Sequence, residues 1–422
     1  MYMKYNIYLS IKIILSYTLY NSGALDTPHN VVVNPNCMSS KICENAYEAE
    51  VFNDKLNQYL DEEDSIYLYD LSKLRELYKN WVSLFPYIKA HYAVKCNPDI
   101  EIIKTLAKSG ASFDCASPKE IEKVLSLKVS PRRIVYANPC KRIQDILFAH
   151  ERGVQYTTFD TLCELEKIHR VAPTMKLIVR IYANDPTAQC VLSNKYGAFR
   201  NEWEGLLQRA CELEMNIVGI SFHIGSGACN PEVFEDAILQ ARTLFDIAAN
   251  EYGFDMTILD IGGGFSSQNI CAMSKSIHNA IDKYFPKELF PNVKYIAEPG
   301  RYFAETIAIL FTKIIGLRER DDTIDYWITD SLYGSFNCIL YDHIHLNPEP
   351  MNLDNEGAIN EIKSTLWGPT CDGFDKIVDN YILPKMSCGD WIEWKNMGAY
   401  TIAGACDFNG IALTAPKKLY VY

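Results

Sequence analysis

The sequence predicts an α/β protein, a TIM (β/α)8 barrel followed by a second, mostly β domain, and three observations lead there. From Ile88 onward, short β-rich runs alternate with amphipathic stretches, as parallel strands with crossover helices require. Past Arg301 the pattern changes to β-rich segments punctuated by Pro, Gly and Asn. Polar and glycine residues cluster just after the barrel runs, where the active sites of such barrels are built.

Eight barrel strands can be counted: Ile88 to Val94, Ala111 to Cys115, Ile134 to Ala137, Val154 to Phe159, Lys176 to Ile181, Asn216 to His223, Met256 to Ile261 and Val293 to Ala297. Helix signals lie between them. Ser117-Pro118-Lys119-Glu120 offers an N-cap, a first-turn proline and an early acid, and Pro231-Glu232 opens a long run to Asn250. In the second half, Ala308 to Leu317, Tyr326 to Ile328, Trp391 to Trp394 and Lys418 to Tyr422 read as strands. No internal repeat or low-complexity segment is visible.

Composition narrows the class. With 422 residues, 48% hydrophobic and 22% charged, the chain can bury a large core, and two domains are expected at roughly 150 residues each. A net charge of -12 without a basic block excludes a nucleic-acid partner. The 14 cysteines are scattered singly from Cys37 to Cys406, with no Cys-x-x-Cys pair and no zinc spacing, which fits a reduced, cytoplasmic protein. Ile7 to Tyr20 is apolar like a signal peptide, but Lys12 interrupts it and it is too short for a membrane span. Residues 1–27 are therefore read as a loosely attached extension.

Several residues carry chemistry. Lys95 ends the first barrel strand, in His91-Tyr-Ala-Val-Lys-Cys-Asn97, so its amine is expected at the barrel mouth. Burial there would lower its pKa and free it for Schiff base chemistry, although a lysine after a strand ordinarily snorkels to solvent. Gly262-Gly263-Gly264 lets backbone N–H groups close on an anion at a strand end, and a tight turn explains it nearly as well. Glu298-Pro299-Gly300-Arg301 sets a carboxylate and a guanidinium side by side, where an internal salt bridge is the plainer reading. Arg301 and the glycines nevertheless follow strands seven and eight, where such barrels bind phosphate.

His223 and Ser226 share a glycine-rich turn after the sixth strand, and a satisfied core histidine is the bland alternative. Asp114 in the second strand and Arg180 in the fifth are expected to pair. His343 and His345 alternate on one strand without further nearby ligands, so no metal site is expected.

A lysine, a phosphate cradle and a carboxylate able to hold a ring nitrogen protonated describe a pyridoxal phosphate site. The motifs that carry a resemblance are Ala93-Val-Lys-Cys-Asn97, Phe113-Asp-Cys-Ala-Ser117, Tyr136-Ala-Asn-Pro-Cys-Lys141, Ser221-Phe-His-Ile-Gly-Ser-Gly227, Asp260-Ile-Gly-Gly-Gly-Phe265, Glu298-Pro-Gly-Arg301, Tyr333-Gly-Ser-Phe-Asn-Cys-Ile-Leu-Tyr-Asp-His343, Gly368-Pro-Thr-Cys-Asp-Gly373 and Met397-Gly-Ala-Tyr-Thr401. From about Ile66 to Tyr422 the chain closely resembles the eukaryotic ornithine decarboxylases, group IV pyridoxal phosphate-dependent enzymes with an alanine racemase-like fold.

The resemblance implies decarboxylation of L-ornithine to putrescine, the first step of polyamine synthesis, by a head-to-tail homodimer. It implies that residues 28–70 start a modified Greek-key β-barrel domain completed by 308–422, around a cofactor-binding barrel at 71–307. By carry-over, Lys95 bonds pyridoxal 5′-phosphate, His223 stacks on its ring and Glu298 pairs with the ring nitrogen. Ser226, Gly263, Gly264, Arg301 and Tyr400 hold the phosphate, with Asp114, Arg180 and Gly300 also in the cofactor site. Tyr341 and Asp342 of one chain and Asp372 of the other bind substrate, and the partner's Cys371 protonates the carbon left by CO2.

Three other readings stand beside this one. A catalytically dead homologue that binds the inhibitory protein antizyme would have lost members of the site, whereas Lys95, Asp114, His223, Glu298, Cys371 and Asp372 are all present. An alanine racemase of the same architecture would carry arginine in place of Glu298. Lysine or arginine as substrate differs by little, since one methylene changes discrimination by only about 1 to 3 kcal/mol. The resemblance also makes antizyme a partner of an active enzyme, yet the surface near Gln144 to His169 departs from the family and carries Glu151 where a basic surface would suit an acidic protein.

Overall fold

The computed structural model describes residues 65–183, 185, 188, 195–228, 230–351 and 361–422. The extension at 1–27 and nearly all of the expected first part of the β domain lie outside the described residues.

Strand β1 (Ile66–Asp70) leads directly into α1 (Leu71–Leu84), where Asp70 caps the helix by accepting from Lys73 N. The barrel follows as β2 (Ile88–Ala93), α2 (Ile100–Ser109), β3 (Ser112–Cys115), α3 (Pro118–Ser126), β4 (Ile134–Tyr136), α4 (Ile143–Glu151), β5 (Tyr156–Phe159), α5 (Leu162–Val171) and β6 (Lys176–Arg180). It continues through α6 (Trp203–Glu212), β7 (Asn216–Ser221), α7 (Glu232–Tyr252), β8 (Ile258–Asp260), α8 (Ile270–Tyr284) and β9 (Lys294–Ala297). Every neighbouring pair is parallel, and β9 closes on β2 with Ile88 opposite Tyr295. The eight strands counted from alternation are the eight that close the barrel. The cap read at Ser117 is also formed: its hydroxyl accepts from Glu120 N while the Glu120 carboxylate accepts from Ala116 N at 2.6 Å.

Strand periodicity positions the site. Val135, Ile178, Val218, Ile258 and Ile296 form a separate apolar cluster contributed by five barrel strands. Two residues further along the same faces stand Arg180, Asp260 and Glu298, so ionisable groups lie one layer above an apolar floor. The outward faces join the helices in the main core. In that core Trp81 of α1 packs edge-on to Phe265 at 5.1 Å, and Phe265 directly follows the three glycines.

A four-residue helix α9 (Arg301–Ala304) leads into the second half: β10 (Ala308–Arg320), β11 (Thr323–Ile328), α10 (Asn337–Tyr341), β12 (Glu349–Pro350), β13 (Glu361–Trp367), β14 (Lys376–Pro384), β15 (Trp391–Trp394) and β16 (Lys417–Val421). The mixed sheet runs β12-β15-β10-β11-β13-β14. Strand β1 joins it, antiparallel to β10 and parallel to β16, so the strand preceding the barrel in sequence is built into the sheet that follows it.

Two local readings are corrected. Lys95 lies beyond the strand, in a 3₁₀ turn at Val94–Cys96, because the β ladder stops at Ala93. His343 and His345 are not on a strand: α10 ends just before them, and His343 takes a positive φ of 54°, which a strand does not allow.

Candidate active site

One pocket at the C-terminal mouth of the barrel is lined by Lys95, His223, Ser226, Gly263, Gly264, Glu298, Gly300, Arg301 and Tyr400, together with Ala93 and Phe265. The sequence reading thus placed nine of its expected residues in a single concavity. Lys95 reaches it from the turn after β2, and its side chain is 39% accessible within the mouth. Its Nζ donates to Asp114 Oδ2 at 2.5 Å. Burial pulls this amine down, but the carboxylates of Asp114 and Glu298 outweigh it, so the ammonium is held above its ordinary range. That corrects the expectation of a lowered value, and also the pairing expected for Asp114, whose partner is Lys95. Arg180 instead lies 5.4 Å from the ring of Tyr196.

At the opposite wall the glycine loop is needed for space. A Cβ on Gly263 would stand 2.7 Å from His223 Nε2, and one on Gly264 would stand 2.9 Å from Gly225 O at a φ of 108°. His223 Nδ1 accepts from Gly225 N at 3.0 Å, which orients the ring. Burial, then the neighbouring Arg180 and Lys95, hold the imidazole well below its ordinary value, so it is neutral.

The salt bridge expected between Glu298 and Arg301 is not formed. Arg301 Nη2 donates to Ser226 Oγ at 3.1 Å and to both oxygens of Asp342 at 2.6 Å, while Nη1 donates to Glu305 Oε1 at 3.0 Å. Glu298 faces inward instead, against Asp260 and Asp114. Burial and these two acids push its carboxyl well above the usual range, against Lys95 and Arg180. Arg301 Nε, Asp114 Oδ1 and Asp260 Oδ2 are among the buried side-chain atoms that have no hydrogen-bond partner within the described residues.

Cys371, Asp372 and Tyr341 do not line this pocket. Cys371 is exposed, with its backbone N–H donating to Asn409 Oδ1 at 3.0 Å. Asp372 accepts from the Tyr333 hydroxyl, and Tyr341 is 72% exposed. The loop is anchored by buried Asp375, which accepts from Ser331 Oγ and Leu332 N at 2.8 Å and from Thr370 Oγ1 at 2.6 Å. The sequence reading gave no role to Asp375, Tyr333, Glu305 or Asp260. Of these only Asp260 had a local signal, two residues after inward-facing Ile258.

An amine beside a carboxylate, a bare glycine wall, a neutral imidazole and an arginine–serine anion anchor together suit a planar, phosphorylated aldehyde. The comparisons agree. Residues 71–305 match the family model described as pyridoxal-dependent decarboxylase, pyridoxal binding domain. Over 395 residues the chain is 41% identical to the ornithine decarboxylase of Rattus norvegicus, covering 88% of this chain and 84% of that one. Among solved structures it is similar to the arginine decarboxylase of Paramecium bursaria Chlorella virus, with a TM-score of 0.83, 38% identity, and 88% of this chain and all (100%) of that chain covered. It is also similar to a lysine/ornithine decarboxylase of Vibrio vulnificus complexed with cadaverine, with a TM-score of 0.78, 30% identity, and 89% and 99% covered.

Proposed function

This chain belongs to the pyridoxal-dependent decarboxylase family, and from that premise we propose that it removes CO2 from the α-carbon of L-ornithine to give putrescine, a polyamine precursor. Pyridoxal phosphate is its cofactor, and the residues present fit it. Arg301 Nε and Asp114 Oδ1 are buried without a hydrogen-bond partner among the described residues, and the glycine cradle would be filled by any Cβ. When bound, this group supplies an aldehyde that condenses with amines and a ring that takes up the electron pair left by departing CO2.

The rest falls to the chain. Arg301, Ser226 and the N–H groups beside Gly263 and Gly264 would take the phosphate, with Tyr400 alongside. Lys95 would bond the cofactor and, once displaced, keep its proton beside Asp114. Glu298 would hold a proton at the ring nitrogen, and neutral His223 would present an uncharged face to the ring. The single observation that carries the reading is the gathering of Lys95, Glu298 and Arg301, from the turns after β2 and β9, into one pocket.

Substrate choice would come from Asp342 and from Asp372 of a second copy, because two carboxylates at the far end of the substrate favour a diamino acid over a neutral side chain. Support for a homodimer comes from the loop itself: Cys371 and Asp372 stand outside their own chain's pocket, beside Phe374, which is 85% exposed. Support for a reducing, cytoplasmic setting comes from the cysteines, since the ten described ones are all free. No helix among the described residues is long and apolar enough to cross a membrane. The test is CO2 release from ornithine, lysine and arginine by the purified, cofactor-loaded protein. Ornithine is expected to give the highest kcat/KM, and a higher value for lysine or arginine would reassign the substrate.

A further inference from the structure

Lys95 sits in the middle of a three-residue 3₁₀ turn, Val94–Cys96, just past the end of the β2 ladder. So short a turn has little hold of its own, and the place of the Lys95 amine depends on what its flanking residues grip. Before the turn, Ala93 N donates to Pro299 O at 3.3 Å. After it stands Asn97, which is fully buried and makes three hydrogen bonds. Its backbone O accepts from the Tyr92 hydroxyl at 2.9 Å, so a residue of β2 closes the turn that leaves it. Its Oδ1 accepts from Asp99 N at 3.1 Å, which shapes the local chain. Its Nδ2 donates to Gly398 O at 2.8 Å, 301 positions away in the β-rich half.

A second bond runs alongside, from Tyr400 N to Cys96 O at 2.9 Å. Tyr400 lines the pocket with its ring 5.4 Å from the Arg301 guanidinium, so the two bonds join the turn carrying the amine to the turn beside the anion anchor. The two turns are unequally fixed. The one at 397–400 has anchors of its own: Met397 N donates to Ala308 O at 3.0 Å, Gly398 N to Glu305 O at 3.2 Å, and Thr401 Oγ1 to Met397 O at 2.8 Å. A Cβ on Gly398 would overlap Ala304 O, so this turn is pressed against the chain that follows Arg301. The Lys95 turn leans on it through Asn97.

We propose that Asn97 is a positioning residue for Lys95: its buried side-chain amide, bonded to Gly398 O, holds the Lys95 turn at a set distance from the Tyr400 and Arg301 end of the pocket, and the Tyr92 hydroxyl on its backbone O completes the hold. The proposal rests on the reading of Lys95 as the residue that bonds the cofactor. That bond forms when the unprotonated amine adds to the aldehyde carbon and the aldehyde oxygen leaves as water with the two amine hydrogens. An amine on a turn that drifts reaches this carbon in fewer of its arrangements, whereas a phosphate held at Arg301 and Ser226 does not depend on it.

The test compares two ligands of one pocket. Pyridoxal phosphate carries the aldehyde, and pyridoxamine phosphate carries an amine in its place and cannot bond to Lys95. Asn97→Ser keeps a hydroxyl able to accept from Asp99 N but is too short to reach Gly398 O. In the cofactor-free protein this variant is expected to bind pyridoxal phosphate about 10-fold or more weakly, with a matching loss of borohydride-trapped bond at limiting ligand, while the Kd for pyridoxamine phosphate stays within about 3-fold. Equal weakening of both ligands means a general loosening of the pocket and overturns the proposal, as does no weakening of either. If Asn97→Ser does not fold, Tyr92→Phe, which removes only the hydroxyl, must show the same selective loss by about 3-fold or more, and equal or absent effects there overturn it in the same way. Wild-type protein separates the two readings. Without a trapped bond at Lys95 the cofactor reading falls and this proposal with it, whereas a trapped wild-type bond with no selective loss in the variants removes this proposal alone.

Discussion

Both carboxylate oxygens of Asp342 lie 2.6 Å from Nη2 of Arg301, and neither side chain is more than 5% accessible. One residue follows β9 of the barrel and the other follows α10 of the β-rich half, so the pair ties the two halves together at the pocket. It also joins two residues that the sequence assigns to different tasks, phosphate anchoring and substrate recognition. An anion on Arg301 competes with Asp342 for it, and a cation at Asp342 competes with Arg301.

Asp342→Asn removes that internal anion. Breaking a buried pair costs on the order of 3 to 5 kcal/mol when the remaining charge is left alone. Here inorganic phosphate can replace the lost carboxylate. The cofactor-free variant is expected to melt below wild type and to gain more from added phosphate than wild type does, while KM for ornithine in the loaded enzyme rises about 10-fold or more. Thermal scans with and without phosphate, beside steady-state kinetics, check this. Equal phosphate shifts in both proteins would mean that Asp342 does not compete for Arg301.

Glu298→Gln keeps shape but loses charge. The cofactor is expected to stay bound, because its phosphate would be held at Arg301 and Ser226, while kcat falls by about 10²-fold or more through lost stabilisation of the transition state. Absorbance of the bound cofactor and CO2 release measure the two parts independently. An unchanged rate would give the ring nitrogen another partner.

The barrel was legible because its strands alternate cleanly, and the same alternation placed Glu298 and Asp260 above an apolar floor. Capping chemistry at Ser117 was equally plain. What was not legible depends on contacts distant in sequence. Arg301 was read beside its neighbour Glu298, whereas its carboxylate partners are Glu305, one helical turn on, and Asp342, 41 positions away. Lys95 was expected to titrate low from burial alone, but Asp114 comes to it from the adjacent strand and reverses the sign. The two-residue spacing of His343 and His345 imitated a strand, and a left-handed residue at 343 is invisible to periodicity.

Away from the pocket, Glu393 of β15 offers a pH test of the β-rich half. Burial pushes its carboxyl up to about 7, with Lys395 pulling it down and Glu349 pushing it up. A raised folded-state value favours the protonated form, so its stabilising contribution is complete below the unfolded value of about 4.3 and is lost as pH rises through about 7. Glu393→Gln should flatten the fall of the melting temperature across that window and leave ornithine turnover unchanged. A fall as steep in the variant as in wild type would exclude Glu393 as its source.

Cys371→Ala should change the product as well as the rate. If the Cys371 thiol delivers the proton to the carbon that has lost CO2, its removal lets protonation fall on the cofactor instead, giving pyridoxamine phosphate and an aldehyde. Product analysis after exhaustive turnover of ornithine decides it. Putrescine alone, formed at the wild-type rate, would move the proton donor elsewhere.

The proposed two-chain site admits a test by complementation, because Lys95 lines the pocket of its own chain while Cys371 stands exposed outside it. Lys95→Ala and Cys371→Ala should each be nearly inactive as homodimers. Mixed one to one with subunit exchange, about half the dimers are hybrids, and two-fold symmetry gives each hybrid one intact site and one doubly defective site. Roughly a quarter of wild-type activity should therefore return, and the restored fraction should fall on dilution as dimers dissociate. Sites built within a single chain recover nothing at any mixing ratio, since every site then carries one of the two lesions. An inactive mixture, with exchange demonstrated by mass, would place Lys95 and Cys371 of one chain in the same site and require the loop at 368–375 to fold back over its own barrel mouth.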